Sequence, residues 1–272
     1  MIAILDGPMG TELGARGVPT PEPLWSAEGL ESAPEVVASI HREYAAAGAT
    51  VHTANTFRTR RRQAGDRWED LARSAVAIAK GAVPSGHRVA GSVAPLEDCY
   101  RPDLSPADPR PEHRELCRAL AAAGVDLLLC ETFPHVGEAL IAVEEAAATG
   151  IETWVAFTAG PEADLLTPSE VERGAREAIV RGASAVLVNC VPAARTLEYL
   201  ERLSDLGVPF GAYANAGSPS EGIGWGASGP EAARLYLDFA RSWVNVGASL
   251  VGGCCGTGPL HIEALAKHFG GE

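Results

Sequence analysis

Two adjacent cysteines in a glycine-rich turn are the strongest chemical signal in the sequence. They are Cys254 and Cys255, within Val251-Gly-Gly-Cys-Cys-Gly-Thr-Gly-Pro259. Thiols in such a position fill a core, form a redox pair or bind a metal. A disulfide between neighbouring cysteines forms only with strain, which disfavours the redox pair. The four glycines around the pair indicate a backbone shaped to present side chains, but this segment alone leaves the three uses open.

A third cysteine favours the metal. Cys190 ends Val186-Leu-Val-Asn-Cys190, an apolar run typical of a buried parallel strand. In a barrel of parallel strands, the end of this run shares a rim with Cys254 and Cys255. Three thiolates with no obvious fourth protein ligand are typical of a catalytic zinc site, whereas a structural site is usually closed by four ligands. We therefore predict that Cys190, Cys254 and Cys255 bind Zn²⁺.

Short apolar runs alternate with longer helical patterns, which indicates repeated strand–helix units. The predicted strands are Ala3–Leu5, Thr50–Thr53, Arg88–Ser92, Leu127–Cys130, Thr153–Phe157, Ala185–Asn189, Phe210–Tyr213 and Ser249–Gly252. The predicted helices are Pro34–Ala47, Glu69–Ala82, Pro111–Ala123, Gly137–Ala148, Ser169–Arg181, Ala194–Leu206, Pro230–Val246 and Pro259–His268. This alternation favours an α/β fold, a single-domain (β/α)8 TIM barrel over residues 1–272. A doubly wound sheet is the alternative, but no Gly-x-Gly-x-x-Gly follows the first strand.

Two carboxylates and two long loops are expected at one end of this barrel. Asp6 ends the first strand, and Glu131 directly follows the buried run Leu127–Cys130. An ionised carboxylate at the end of a buried strand, as predicted for Glu131, needs a partner, which is either a substrate ammonium or a buried arginine. Asp6 is alternatively a turn residue that bonds local backbone. The loops Arg16–Trp25 and Pro95–Pro111 follow strands, so they should cover the catalytic face.

The other cysteines and the histidines give weaker signals. Strand alternation turns Cys130 away from Glu131, which favours a role as small core filler. Cys99 and Cys117 have no partner motif, so we predict that they are inert. None of the seven histidines shows metal-type spacing, and none is assigned to the zinc.

The overall composition argues against several classes of protein. The formal net charge is −13, and the only dense basic run, Arg58–Arg62, is expected to be a solvated helix face or loop, so we predict no nucleic-acid binding. An acidic protein suits a cationic small molecule better. No stretch approaches the ~18 apolar residues of a membrane span, and no basic segment followed by an apolar run opens the sequence. We therefore expect a cytoplasmic protein with reduced cysteines.

Seven segments together resemble the homocysteine S-methyltransferase family in order and spacing, from Asp6 to about Ile262. The Asn-Cys and Gly-Gly-Cys-Cys elements are specific to that family, and Pro-Leu-Trp-Ser-Ala is most similar to its S-methylmethionine-using branch. The segments are Leu5-Asp-Gly-Pro-Met-Gly-Thr-Glu-Leu13, Pro23-Leu-Trp-Ser-Ala27, Thr53-Ala-Asn-Thr-Phe57, Val89-Ala-Gly-Ser-Val93, Cys130-Glu-Thr-Phe-Pro134, Val188-Asn-Cys190 and Gly252-Gly-Cys-Cys-Gly-Thr257.

This resemblance implies a homocysteine-binding (β/α)8 barrel in which the three predicted zinc cysteines leave one position for the homocysteine sulfur. It implies that Glu131 contacts the homocysteine amino group, with Asp6 and Gly7 nearby. Further residues in the matched segments are candidates for lining the pocket: Asn55, Thr56 and Asn189.

Elementary chemistry agrees with the implied reaction. A free alkyl thiol has a pKa of about 8.5, so little of it is thiolate at neutral pH, whereas zinc coordination deprotonates it. Three cysteine thiolates and a substrate thiolate carry more negative charge than Zn²⁺ neutralises, which favours a cationic methyl donor. Aromatic faces commonly help to hold such cations, although each candidate here is also a plausible packing residue: Trp25, Phe57, Phe133, Phe157, Tyr213 and Trp225.

We therefore predict methyl transfer from S-methylmethionine or S-adenosylmethionine to homocysteine, giving methionine. Within the enzyme class, the alternatives are a betaine donor or a separate corrinoid-carrying partner protein. Two alternatives are not methyltransferases: a zinc-binding or thiol-binding sensor without turnover, and a redox protein that uses Cys254 and Cys255.

Overall fold

Eight parallel strands form one sheet in the computed structural model, which describes residues 2–225 and 229–271. The strands are β1 Ala3–Ile4, β2 Val51–Ala54, β3 Arg88–Val93, β4 Leu127–Phe133, β5 Thr153–Phe157, β6 Ala185–Pro192, β7 Phe210–Asn215 and β8 Leu250–Gly253. Each strand pairs with its neighbour in sequence from β2 to β8, and β8 pairs with β1. A parallel bridge between Leu5 and Val51 joins the two ends of the sheet, so the strands close into a barrel.

Helices follow the strands around the outside of the barrel. They are α1 Met9–Ala15, α2 Gly29–Ser32, α3 Pro34–Ala46, α4 Arg61–Ala64, α5 Trp68–Ala82, α6 Arg110–Ala122, α7 Val136–Ala147, α8 Pro168–Val180, α9 Ala193–Leu203, α10 Pro230–Asn245 and α11 Pro259–Phe269. The eight predicted helices correspond to α3 and α5–α11, and the (β/α)8 fold is confirmed. The short helices α1, α2 and α4 lie in connecting loops and were not predicted. Residues 1, 226–228 and 272 of the predicted domain lie outside the described residues.

The apolar strand runs form two packed layers because successive side chains point to opposite faces. Leu127 and Leu129 fill the barrel interior together with residues of the other strands, such as Leu187. Leu128 and Cys130 point outward and pack in the layer between barrel and helices. No helix in the described part of the chain is both long enough and apolar enough to cross a membrane.

A buried arginine fixes the loops that follow β2 and β3. Arg60, only 2% exposed, donates hydrogen bonds to the carbonyl oxygens of Ala94 at 2.6 Å, of Pro95, and of Phe57 at 3.2 Å. The Glu138 carboxylate holds the other side of the second loop by accepting the Leu96 N–H at 2.8 Å. The basic run was expected to be solvated, and for Arg60 this is wrong, because three carbonyl oxygens replace its hydration.

Candidate active site

A cavity of about 330 Å³ lies among residues that follow the carboxyl ends of the strands. This end of a (β/α)8 barrel is where catalytic sites are built, because loops from all eight strands converge there. Seven of the nine predicted site residues line the cavity: Asp6, Gly7, Asn55, Glu131, Cys190, Cys254 and Cys255. The other two, Thr56 and Asn189, are buried behind its wall.

The three predicted metal-binding cysteines converge in this cavity. Their Sγ atoms all lie within 4.8 Å of one another, and the Cα atoms of Cys190 and Cys254 are 5.7 Å apart. Tetrahedral zinc with Zn–S bonds of about 2.3 Å separates its sulfur ligands by roughly 3.8 Å, so this donor set fits zinc. The structure pairs Cys190 with Cys254 in a disulfide and leaves Cys255 a free thiol. Cys254 and Cys255, the pair that the redox alternative would use, are therefore not bonded to each other.

A left-handed backbone turns the Cys190 side chain into the cavity. Simple alternation would place Asn189 and Cys190 on opposite faces of β6. The φ angle of Cys190 is 52°, and the register between β6 and β7 shifts between Asn189 and Pro192. The side-chain amide of Asn215 donates to the Cys190 carbonyl at 3.0 Å and holds this conformation. Such irregularities at strand ends commonly re-aim a side chain next to an active site.

Glycines permit the turn that carries the other two cysteines. A Cβ atom on Gly252 would lie 2.7 Å from the Cβ of Leu5, so β1 approaches too closely for any side chain there. Gly256 has a φ angle of 82°, a conformation that favours glycine. The Cys254 N–H donates to the Ala214 carbonyl at 2.9 Å, which ties the turn to the end of β7.

Two buried carboxyl groups share the cavity with the cysteines. Glu131 accepts hydrogen bonds from the Ser92 hydroxyl and, at 2.9 Å, from the Tyr213 hydroxyl. Asp6 accepts the Thr53 N–H at 2.9 Å. Burial raises the pKa of both groups, and repulsion by Glu131 raises that of Asp6 further. Within the described residues neither carboxyl has an ion-pair partner, so the buried arginine considered for Glu131 is not found.

Neutral imidazoles lie behind Asp6. The ligand atoms of Asp6, His41 and His52 lie within 4.8 Å of one another, a grouping that the spacing of these residues did not predict. Burial lowers the pKa of His41 to about 3 and that of His52 to about 4. Both rings are therefore uncharged near neutral pH and supply no cation to Asp6.

Three of the weaker candidates brace the cavity wall. Asn55 accepts a hydrogen bond from the Ser26 hydroxyl and donates one to the Ser26 carbonyl, each 2.8 Å long. Thr56 donates to the carbonyl of Ser92 at 2.9 Å. Asn189 binds Thr132 through two hydrogen bonds of 3.0 and 2.7 Å, and Thr132 has a φ angle of 61°. Ser92 donates a hydrogen bond to Glu131, and Thr132 follows Glu131 in the chain. By holding these two neighbours, Thr56 and Asn189 fix the surroundings of Glu131.

Half of the predicted aromatic residues reach the cavity. Trp25, Phe57 and Tyr213 line it, and the rings of Trp25 and Phe57 meet edge to face at 5.8 Å and 70°. Phe133 and Phe157 are instead buried in the layer between barrel and helices. A sixth residue, Trp225, is 47% exposed and donates its indole N–H to the Gly217 carbonyl at 2.7 Å, away from the cavity lining.

Several cavity residues were not identified from the sequence. Ser92 lies in Val89–Val93, one of the segments that carried the family resemblance. The resemblance therefore included this residue but did not indicate its hydrogen bond to Glu131. Cys99 was predicted to be inert, yet together with Tyr100 it lines the cavity from the loop after β3. Arg58 also lines it, next to the matched segment Thr53–Phe57.

Comparisons with known proteins agree with this geometry. A family profile described as "Homocysteine S-methyltransferase" matches residues 3–269. Homocysteine S-methyltransferase of Escherichia coli is 32% identical to this chain over 97% of this chain and 94% of its own length. The S-methylmethionine–homocysteine S-methyltransferase BHMT2 of Pongo abelii is 29% identical over 92% of this chain and 73% of its own.

A solved structure gives the same result. The metallated form of the homocysteine methyltransferase MmuM from Escherichia coli aligns with a TM-score of 0.80 and 27% identity, over 98% of this chain and 96% of that one. The protein described here therefore belongs to the homocysteine S-methyltransferase family.

Proposed function

We propose that this protein transfers a methyl group from a cationic sulfonium donor to the thiol of homocysteine, giving methionine, with Zn²⁺ held by Cys190, Cys254 and Cys255. The whole chain, residues 1–272, would form one homocysteine-binding domain. One observation carries the proposal: three sulfurs within 4.8 Å of one another share a cavity with two buried carboxyl groups. A thiol amino acid with an ammonium group complements both features.

The protein side chains have separate roles in this proposal. Zinc, when bound, supplies the acidity that makes a thiol ionise at neutral pH. Glu131 and Asp6 bind the homocysteine ammonium, because a buried carboxylate is stabilised by a cation placed against it. Ser92 and Tyr213 orient the two oxygens of Glu131 for that contact. The cysteines must be reduced to act as ligands, which agrees with the expected cytoplasmic location.

A sulfonium donor suits the remainder of the cavity. The faces of Trp25 and Phe57 are suited to a cation, and the cysteine thiolates attract positive charge. The new bond joins the homocysteine sulfur to the methyl carbon, while the bond from that carbon to the donor sulfur breaks and leaves a neutral thioether. Because this step cancels opposite charges, a site with little water favours it. S-methylmethionine and S-adenosylmethionine are the proposed donors, and the name of the Pongo abelii relative includes the first.

A panel of donors tests the proposal against its alternatives. With zinc-loaded protein and homocysteine, we expect methionine from S-methylmethionine or S-adenosylmethionine and none from betaine. A chelator should abolish this activity, and one equivalent of zinc per chain should restore it. Homocysteine binding without product from any donor would instead support a sensor, and activity that survives removal of zinc would support a redox or metal-free protein.

The affinity for homocysteine should increase with pH. Burial raises the pKa of Glu131 and Asp6, so in acid they are protonated and bind an ammonium poorly. As the pH rises through these raised pKa values the carboxylates form, and KM for homocysteine should fall over a pH range that lies above the usual one for carboxyl groups. Tyr213→Phe removes a hydrogen bond that lowers the pKa of Glu131, so this fall should shift to higher pH. An unshifted profile in that variant would contradict the assignment, because ionisation of the thiol alone would then explain the wild-type profile.

A further inference from the structure

The guanidinium of Arg58 lies in the cavity wall without a full set of partners. Its side chain is 15% exposed, and among the described residues its buried Nε has no hydrogen-bond acceptor. The nearest carboxylate is that of Glu22, with Nη2 and Oε1 4.0 Å apart, and the Glu22 side chain is 70% exposed. The other neighbour is the Phe57 ring, whose centroid is 5.9 Å from the guanidinium carbon. A partly desolvated guanidinium with so few contacts is able to bind an incoming anion.

The terminal guanidinium nitrogens of the neighbouring arginines bind other parts of the protein. The Arg60 guanidinium binds three carbonyl oxygens. Arg61 pairs with Glu115 at 3.0 Å, and Arg62 pairs with Glu112 at 2.6 Å. Arg60 joins the loop that carries Arg58 to the loop after β3, because it binds one carbonyl in the first loop and two in the second. These bonds fix the position of Arg58 at the cavity. The buried Nε atoms of Arg58 and Arg60 both lack an acceptor, but only Arg58 lines the cavity, and among the described residues its terminal nitrogens donate no hydrogen bond.

The charges around Arg58 match an amino-acid group. Glu22 and Asp98 line the same cavity and contribute two carboxylates near its opening. One cation and two carboxylates complement a zwitterion that carries an α-carboxylate and an α-ammonium. A guanidinium that faced a sulfonium directly would repel it, but the donor's own carboxylate placed between them removes that repulsion.

We propose that Arg58 binds the α-carboxylate of the methyl donor and so selects sulfonium compounds that are amino acids. This inference rests on the proposed function. The assignment to the donor, and not to homocysteine, follows from position: the carboxyls proposed for homocysteine are the buried Glu131 and Asp6, whereas Arg58 adjoins the exposed Glu22 and the Trp25–Phe57 pair. Arg58 is thus a specificity residue for the donor.

Two donors that differ only in the carboxylate test this inference. They are S-methylmethionine and its decarboxylated analogue, (3-aminopropyl)dimethylsulfonium. Arg58→Met should raise KM for S-methylmethionine by about 10-fold to 100-fold, the typical loss for a charge-assisted hydrogen bond. KM for the analogue and for homocysteine should each change by less than about threefold. Arg58→Lys should recover part of the affinity, because it keeps the charge and loses the planar fork. Arg173→Met, which removes an exposed arginine outside the cavity lining, is the control.

Three results with Arg58→Met would overturn the inference. An unchanged KM for S-methylmethionine shows that Arg58 does not bind it. An equal rise in KM for both donors shows that the substitution changes the shape of the cavity in general. A raised KM for homocysteine shows that Arg58 binds the carboxylate of homocysteine and not that of the donor. Calorimetric binding of both sulfonium compounds to wild-type and Arg58→Met protein gives the same comparison without turnover. If wild-type protein binds S-methylmethionine through Arg58 but makes no methionine, the proposed function fails while this inference stands. If wild-type protein does not bind S-methylmethionine, the inference fails.

Discussion

Cys254→Ala is expected to abolish zinc retention and to lower methionine formation by at least on the order of 1,000-fold. At pH 7 a free thiol with a pKa of about 8.5 is only about 3% ionised, so loss of the metal costs roughly 30-fold through ionisation alone. Loss of the fixed position of the homocysteine sulfur adds a larger factor, because orienting two reactants is worth several orders of magnitude.

The barrel should stay folded in this variant, because alanine keeps the backbone N–H of residue 254 that ties the turn to Ala214, and the zinc-binding form of the protein does not use the Cys190–Cys254 disulfide. Zinc content by mass spectrometry, far-ultraviolet circular dichroism and turnover are to be measured on one preparation. Cys117→Ala is the matched control, since Cys117 is buried between barrel and helices and away from the cavity. It should keep both zinc and activity. Full activity in Cys254→Ala would contradict the proposed mechanism.

Glu131→Gln is expected to raise KM for homocysteine by about 100-fold or more while zinc content stays unchanged. Removal of one partner from a buried ion pair typically costs about 3–5 kcal/mol, which corresponds to such a factor or a larger one. Glutamine keeps the size of the side chain and removes the charge that the ammonium needs. Glu131→Ala should have at least as large an effect on homocysteine binding, again without loss of zinc.

The matched control for this prediction is Glu152→Gln, which removes a half-exposed carboxylate that pairs with Arg88 at 2.7 Å before β5, at the other end of the barrel. Homocysteine binding and zinc content should both be unaffected there. If Glu131→Gln loses zinc and homocysteine to the same extent, Glu131 has a structural role and does not bind the ammonium.

The sequence contains enough information to predict the barrel but not the irregular ends of its strands. Apolar runs such as Leu127–Cys130 identify buried strands because the hydrophobic pattern reports burial on both faces. Strand β4 continues past this run to Phe133, and β6 continues to Pro192. Thr132 and Cys190 adopt positive φ angles there, and neither is a glycine, so no residue type signals the turn. Those departures decide which side chains face the cavity.

Part of the site can also be predicted from the sequence, and part of it cannot. Adjacent cysteines in a glycine-rich turn are visible in the sequence, as is a carboxylate after a buried strand. The hydrogen bonds to Glu131 are not, because Ser92 and Tyr213 lie 39 and 82 residues away and meet it only when the barrel closes. Arg58 and Arg60 are likewise indistinguishable in a basic run, although one faces the cavity and the other is buried against carbonyl oxygens.

X-ray absorption at the zinc edge, recorded on zinc-loaded protein with and without homocysteine, tests the central claim most directly. The account predicts three sulfur ligands and one oxygen or nitrogen ligand before the addition, and four sulfur ligands after it. A sulfur count that does not change on addition of homocysteine, or zinc bound away from Cys190, Cys254 and Cys255, would contradict it.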